Sequence, residues 1–228
     1  GILMTRIFPT SAFVPPPPDK LPKAIASLEK YIHGEDLLPP LMRAGLVHVQ
    51  FETIHTFLEG NGRLGRMLIT FLLCAAGALR EPILYLSLYF KSNRQRYYEL
   101  LQRVREAGDW ETWLDFFLTG VKETAEQAAD TARQILALFE TDRRAIEGLG
   151  RAAVSGLHVR QFMQRKPIIS IPAAADQLSL SAPTVTKAIE HLMKLGILRE
   201  ITGKQRHRLF VYDRYLAILN QGAEPLPR

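Results

Sequence analysis

The sequence has little of what a secreted, disulfide-bonded or membrane-spanning protein needs. Its 228 residues contain a single cysteine, Cys74. No internal disulfide can form, and a thiol set in an apolar run is expected to pack as a small hydrophobe. The longest apolar stretch, residues 67–79, is interrupted by Thr70 and ends before Arg80, short of the ~20 residues a bilayer span requires. No basic segment followed by an apolar run and a small-residue cleavage site opens the chain, so no signal peptide is read there, although the abrupt start at Gly1 is compatible with a fragment. These absences point to a cytoplasmic protein with no membrane partner. Disorder is excluded as well, because a hydrophobic fraction of 47% suffices for one large core or two ordinary ones.

An excess of charge is missing from most of the chain and concentrated at its end. Residues 1–150 carry 17 Lys+Arg against 18 Asp+Glu, whereas residues 151–228 carry 12 against 5. The net charge of +6 therefore belongs to the C-terminal third, and a local basic excess of that kind suits a polyanionic partner.

Strand patterns are scarce in the first 150 residues. The proline run Pro15, Pro16, Pro17, Pro18 reads as extended chain. Apolar residues at helical spacing (Ile25, Leu28, Ile32) predict a helix over 22–33. Pro39 and Pro40 suit the first turn of a second helix reaching about Thr56, apolar on most sides and therefore buried. A further apolar helix is expected over 63–79, with others over 93–107, 110–121 and 122–148. Trp110, Trp113, Phe116 and Phe117 read as a core stripe, His48 as a hydrogen-bonded core residue, and Arg103 and Arg105 as solvated surface. Beyond Gly150, two short helices (171–178 and 183–195) precede strand-like segments at 198–201 and 207–211, joined by a basic turn at 203–206. That order is the order of a winged helix-turn-helix.

The densest chemistry lies between two buried helices, in HTFLEGNGRLGR at residues 55–66. A glycine-rich loop at a helix N-terminus offers unpaired N–H groups and a positive dipole end, so phosphate is the natural ligand. Arg63 and Arg66, three residues apart on the first turn, can hold two phosphate groups, and Asn61 adds a neutral donor. Glu59 is the loop's one carboxylate for a Mg²⁺ that a polyphosphate would bring. His55 can accept a proton near neutral pH. Together these are parts for attack by a hydroxyl on a nucleotide phosphate. Glu52-Thr53-Ile54-His55 also has the Glu-x-x-His spacing of di-iron bundles, but that chemistry needs two such pairs and the sequence has one.

Residues 55–66 match the motif HxFx(D/E)GNGRxxR at every specified position, and the chain resembles the Fic family. The likeness extends upstream through Phe13 to Pro18 and Leu38 to Leu41, and downstream through Asn93, Arg94, Tyr97, Tyr98, Trp110 and Trp113, over about the first 145 residues. It implies a mainly α fold: a Fic-type helical bundle over 1–148, with a flap segment at 1–18 truncated at its start and a long final helix at about 122–148. A small α+β winged helix domain would follow at 149–228. The resemblance implies transfer of AMP from ATP to a Tyr, Ser or Thr hydroxyl of a target protein, releasing pyrophosphate. His55 would be the general base and Glu59 the Mg²⁺ ligand. Gly60, Asn61 and Gly62 would cradle the phosphates, Arg63 and Arg66 would contact the β and γ phosphates, and Asn93 with Tyr97 or Tyr98 would lie near the base or ribose. Gly62 argues against the kinase branch, which has lysine there, and no (S/T)xxxE(G/N) inhibitory segment precedes the motif within the chain.

For the C-terminal part, Thr184, Thr186 and Lys187 on the second short helix and Lys204, Arg206 and Arg208 at the basic turn are the expected contacts to duplex DNA. The alternative to protein adenylylation is a DNA-binding transcription regulator whose Fic domain senses nucleotide or modifies only itself, and a third reading is removal of AMP from targets. A homodimer is a further expected partner state.

Overall fold

The computed structural model describes residues 13–34, 37–82, 84–204 and 206–221. The chain divides into two compact units, Gly1–Glu126 and Gln127–Arg228. Most of the expected flap segment falls outside the described residues; residues 13–17, which are described, form neither helix nor strand.

The first unit is helical: α1 (Leu21–His33), α2 (Pro40–Ile54), α3 (Asn61–Ala75), α4 (Ser87–Ser92), α5 (Arg94–Ala107) and the start of α6 (Trp110–Glu147). Proline in the first turn opens both α1 and α2, where its missing N–H costs no hydrogen bond. Arg43 on α2 closes α1 from the other end. Its Nη2 donates to the carbonyls of Tyr31, Ile32 and Gly34 at 2.6, 2.7 and 2.7 Å, placing a cation where the helix dipole is negative. Helix α2 is the buried centre that its all-round apolar pattern predicts. One side packs Val47 and Ile54 on Leu28 of α1; another packs Ala44 and Val49 with Ile69 and Leu73 of α3, Phe90 of α4, Leu100 and Leu101 of α5, and Trp113 and Phe117 of α6. The fully buried Trp113 donates its indole N–H to the Gly45 carbonyl at 3.0 Å.

Three sequence expectations need correction here, the first being the place of Trp110 in the core stripe, since that residue is exposed. The helices expected at 110–121 and 122–148 are one continuous helix, α6. Gly120 sits inside it because a Cβ there would lie 2.4 Å from the Tyr89 ring; that glycine makes room for a neighbour and ends nothing. Arg105 is half-buried and bonded, contrary to its reading as solvated surface.

The second unit begins with the later turns of α6. After a 3-10 turn at Gly150–Ala152 come α7 (Ala153–Arg165), β1 (Ile168–Ser170), α8 (Ile171–Leu178), α9 (Ala182–Lys194), β2 (Arg199–Glu200), β3 (Leu209–Val211) and α10 (Asp213–Leu219). The strands form an antiparallel sheet in the order β1-β3-β2, with Ile169 opposite Phe210 and Glu200 opposite Phe210. Ser170 and Ser181 cap α8 and α9 through the N–H groups of Ala173 and Thr184, which satisfies donors that a helix start leaves open. The core joins Ile146, Val159, Met163, Val185, Ile189, Leu192 and Phe210. The buried Asp142 accepts from the Tyr212 hydroxyl and from Arg214, both at 2.5 Å. Among the described residues no helix is long and apolar enough to cross a membrane.

Gly120 supplies a test of this packing. In an open helix Gly→Ala stabilises by about 1 kcal/mol, but overpacking a filled core typically costs ~1–3 kcal/mol. With the Tyr89 ring in the way, Gly120→Ala is expected to lower the unfolding midpoint; a raised midpoint in urea titration would show that the ring moves aside freely.

Candidate active site

The loop between α2 and α3 is shaped by its two ends. Helix α2 stops because His55 adopts the left-handed region (φ 50°) while its N–H still bonds the Phe51 carbonyl. That conformation is uncommon for a residue with a Cβ, and it turns His55 off the helix axis. At the other end Gly60 has φ 90°, a value glycine adopts without steric cost. The first turn of α3 has no side-chain cap, so its N–H groups are left to an anion.

Asn61 fixes the loop between these ends. Its Oδ1 accepts from the Phe57 N–H at 3.0 Å and its Nδ2 donates to the Phe57 carbonyl at 2.5 Å. The side chain is buried, and both its polar atoms are spent on the loop's own backbone. Asn61 is thereby a loop clasp, a role beyond the one expected from the sequence. Glu59 is exposed, and among the described residues no group of three or more His, Cys, Asp or Glu side chains could hold a metal ion.

Arg63 and Arg66 line one cavity of about 560 Å³. Arg63 also reaches back over the loop, its Nη2 lying 3.7 Å from where a Gly60 Cβ would stand. Arg66 is aimed by Ser87, whose Oγ accepts from its Nε at 2.8 Å, and its Nη1 lies 3.1 Å from the Cβ position of Gly62. Tyr97 and Tyr98 line the same cavity, and so do Lys91 and Arg94, two cations that the sequence reading missed. Their signal was available: they flank Asn93 at i−2 and i+1. Asn93 itself, at the junction of α4 and α5, donates its Nδ2 to the Tyr89 carbonyl at 3.0 Å and does not line the cavity. Four cations and several aromatic rings around a space of this size suit a phosphorylated aromatic ligand.

Beneath the loop lies a buried ionisable cluster. His48 is fully buried, bonds the Tyr97 hydroxyl through Nε2 at 2.9 Å and stacks on Phe90 and Trp113. Burial holds its pKa down to about 4, so it is a neutral core residue and no second base. Glu52, 7% exposed, has an Oε1 with no hydrogen-bond partner. That oxygen lies 2.7 Å from the Cβ position of Gly65. Burial raises its pKa to about 7, against the pull of Arg66 and Arg105. His55, half-buried, is shifted downward first by burial and also by the Arg105 charge, while the Glu52 backbone carbonyl works the other way. A neutral imidazole at physiological pH is what a proton acceptor requires.

The Glu52 shift carries a pH signature. A carboxyl with a raised folded-state pKa contributes stability that is fully present below its unfolded value of about 4.5 and lost as pH rises through about 7. Glu52→Gln is therefore expected to gain on the wild type in thermal melts as pH goes from about 5 to about 8. A difference that stays constant with pH would contradict the burial of an ionisable carboxyl here.

Comparison with known proteins agrees with this geometry. Residues 5–73 match the Fic/DOC family. The chain is 30% identical over 144 residues to the protein adenylyltransferase Fic of Drosophila erecta, covering 60% of this chain and 28% of that protein. It is 32% identical over 94 residues to a probable protein adenylyltransferase of Aquifex aeolicus, covering 41% and 27%. The chain thus spans little more than a quarter of these relatives. A crystal structure of a Fic family protein from Desulfovibrio desulfuricans G20 shares the fold at TM-score 0.51 and 22% identity, over 90% of this chain and 59% of that one. The similarity to the Fic/DOC family thus falls within the N-terminal unit, over residues 5–73.

Proposed function

We propose that the chain is a protein adenylyltransferase. What supports the reading is a half-buried His55 whose pKa is lowered, followed along the chain by an uncapped helix start whose Arg63 and Arg66 line a four-cation cavity. ATP is the substrate. The hydroxyl oxygen of a target Tyr, Ser or Thr attacks the α phosphorus and His55 takes its proton. The bond from the α phosphorus to the bridging oxygen breaks and pyrophosphate leaves. Gly60, Asn61 and Gly62 form the cradle, Arg63 and Arg66 neutralise the departing phosphates, and Tyr97 and Tyr98 wall the ring end, with Asn93 near the ribose. Mg²⁺ would be held by Glu59 together with the nucleotide's own oxygens, which fits a lone exposed carboxylate because this ion uses few protein ligands; it would screen phosphate charge. The single thiol fits a cytoplasmic setting.

For the second unit the reading is a winged helix-turn-helix that binds duplex DNA. The order α7, β1, α8, α9 and the β2–β3 hairpin supports it, and so does exposure of Thr184, Lys187, Lys204 and Arg206. Thr186 and Arg208 are half-buried. Helix α9 would enter the major groove while the hairpin cations touch phosphates. Under the rival regulator reading, the first unit only senses nucleotide or modifies this chain alone.

Incubation with cell lysate and ATP labelled at the α or the γ phosphate separates the readings, because only AMP transfer leaves the α label on a protein other than this chain. His55→Ala is expected to lower that labelling by ~10²-fold or more with ATP affinity retained in calorimetry; unchanged labelling would remove His55 from the base role. Replacing Lys204, Arg206 and Arg208 together should weaken binding to every DNA sequence and flatten the slope of log affinity against log salt by roughly 0.9 per lost contact. Absence of any DNA shift by the intact chain at low salt would leave the second unit as a protein-docking module.

A further inference from the structure

Arg105 lies on α5 and does not line the cavity; its side chain converges on the end of α2 that presents His55. Its Nε donates to Thr53 Oγ1 at 3.2 Å and its Nη2 to the Glu52 carbonyl at 3.4 Å. The guanidinium also lies 3.7 Å from the centroid of the Phe13 ring. Phe13 meets the His55 ring edge-on, at 6.2 Å between centroids and 68° between planes. One cation thus grips the two residues of α2 that precede Ile54 and His55, and braces the aromatic ring that covers the imidazole.

We propose that Arg105 is the positioning residue for His55, holding the last turn of α2 through the Glu52 carbonyl and the Thr53 hydroxyl while its planar face supports Phe13 against the imidazole. The proposal rests on the adenylylation reading for the reaction His55 serves. Three physical effects converge in it. A cation at the C-terminal carbonyls of α2 stabilises the helix end from which His55 departs in a left-handed conformation. The planar guanidinium bonds and stacks at once, which an ammonium cannot do. Its charge also disfavours a proton on His55, beside the stronger effect of burial. The charged groups around this corner are few: Arg105 faces His55, and it also faces the Glu52 carboxyl on α2 and Tyr97 on α5, with Arg66 of α3 the other cation near Glu52.

The test uses the full chain with two Arg105 variants and two readouts. NMR titration of the His55 ring needs no turnover. Arg105→Gln should move the His55 titration to higher pH and shift the acid limb of the rate profile with it. At saturating ATP its turnover should fall roughly ten- to a hundredfold, as misplacement of a catalytic group by a fraction of an ångström does, while ATP affinity stays unchanged. Arg105→Lys keeps the charge and loses the fork and the flat face, so the titration should stay near the wild-type position while turnover still falls. The proposal is overturned if Arg105→Gln leaves both titration and turnover unchanged, or if turnover falls only in step with ATP affinity. Should neither variant fold, Thr53→Val removes one of the two anchors, and unchanged turnover there overturns the proposal as well. If the wild type transfers no AMP but Arg105→Gln still moves His55, the contact between the two groups stands and the adenylylation reading falls; an active wild type in which Arg105→Gln changes neither the titration nor the turnover gives the reverse.

Discussion

The close approach of α3 to α2 at Gly65 is the constraint on which the site depends. A Cβ there would stand 2.7 Å from Glu52 Oε1, so that one of the two would have to shift, and 3.1 Å from the His48 ring, a contact tighter than most. With only hydrogen at that position the two helices meet over His48 and Glu52, and the loop between them has to turn within residues 55–60. The left-handed conformations of His55 and Gly60 and the Asn61 clasp on Phe57 follow from that confinement. Each lies at a corner the chain must round to bring α3 back onto α2.

The same approach shapes the electrostatics. A carboxyl trapped under a phosphate site would repel the ligand if it were ionised, and burial answers this by raising Glu52 to about 7. His48, beside it, is kept neutral by the same cause. Positive charge gathers around the cavity: Arg63 and Arg66 from α3, with Lys91 and Arg94 from the α4–α5 corner. The site therefore sets a floor of suppressed charge against a cationic wall.

Much of this was legible in the sequence, and the parts that were not share a cause. The positions of α1, α2, α3, α5, α8 and α9 follow from apolar spacing and proline punctuation to within a few residues. The residues at 55–66 announce their chemistry because glycine, arginine and histidine are rarely crowded together without one. Neighbours in space but distant in sequence were harder to see. Lys91 at the end of α4 and Arg94 at the start of α5 flank Asn93, and that local signal becomes a wall only when the two helices close on the cavity that Arg63 and Arg66 also line. The Tyr89 ring that Gly120 accommodates is 31 positions away, so nothing local showed why a glycine stands inside α6. Strand β1, three residues long, takes its identity from β3 across the sheet, and so could not be read from its own sequence. Asn61 was legible as a donor, but its clasp on Phe57 appears only once the loop is closed.

Arg105 shows the limit of periodic reading most clearly. On a helical wheel it falls between Leu101 and Tyr98, at the edge of the buried stripe and away from Glu99, Arg103 and Glu106, so its reading as surface followed from its charge and not from its position. Four methylene-scale bonds separate that Cα from the guanidinium, so a long stem lets the charge reach an interior destination that its backbone position does not reveal. The destination is specified by α2, whose final carbonyl groups need donors, and by an aromatic ring from the segment before α1. A sequence pattern records where a side chain is rooted. At this site function depends on where the side chain ends, and the two are separated by a helix–helix interface that only the folded chain supplies.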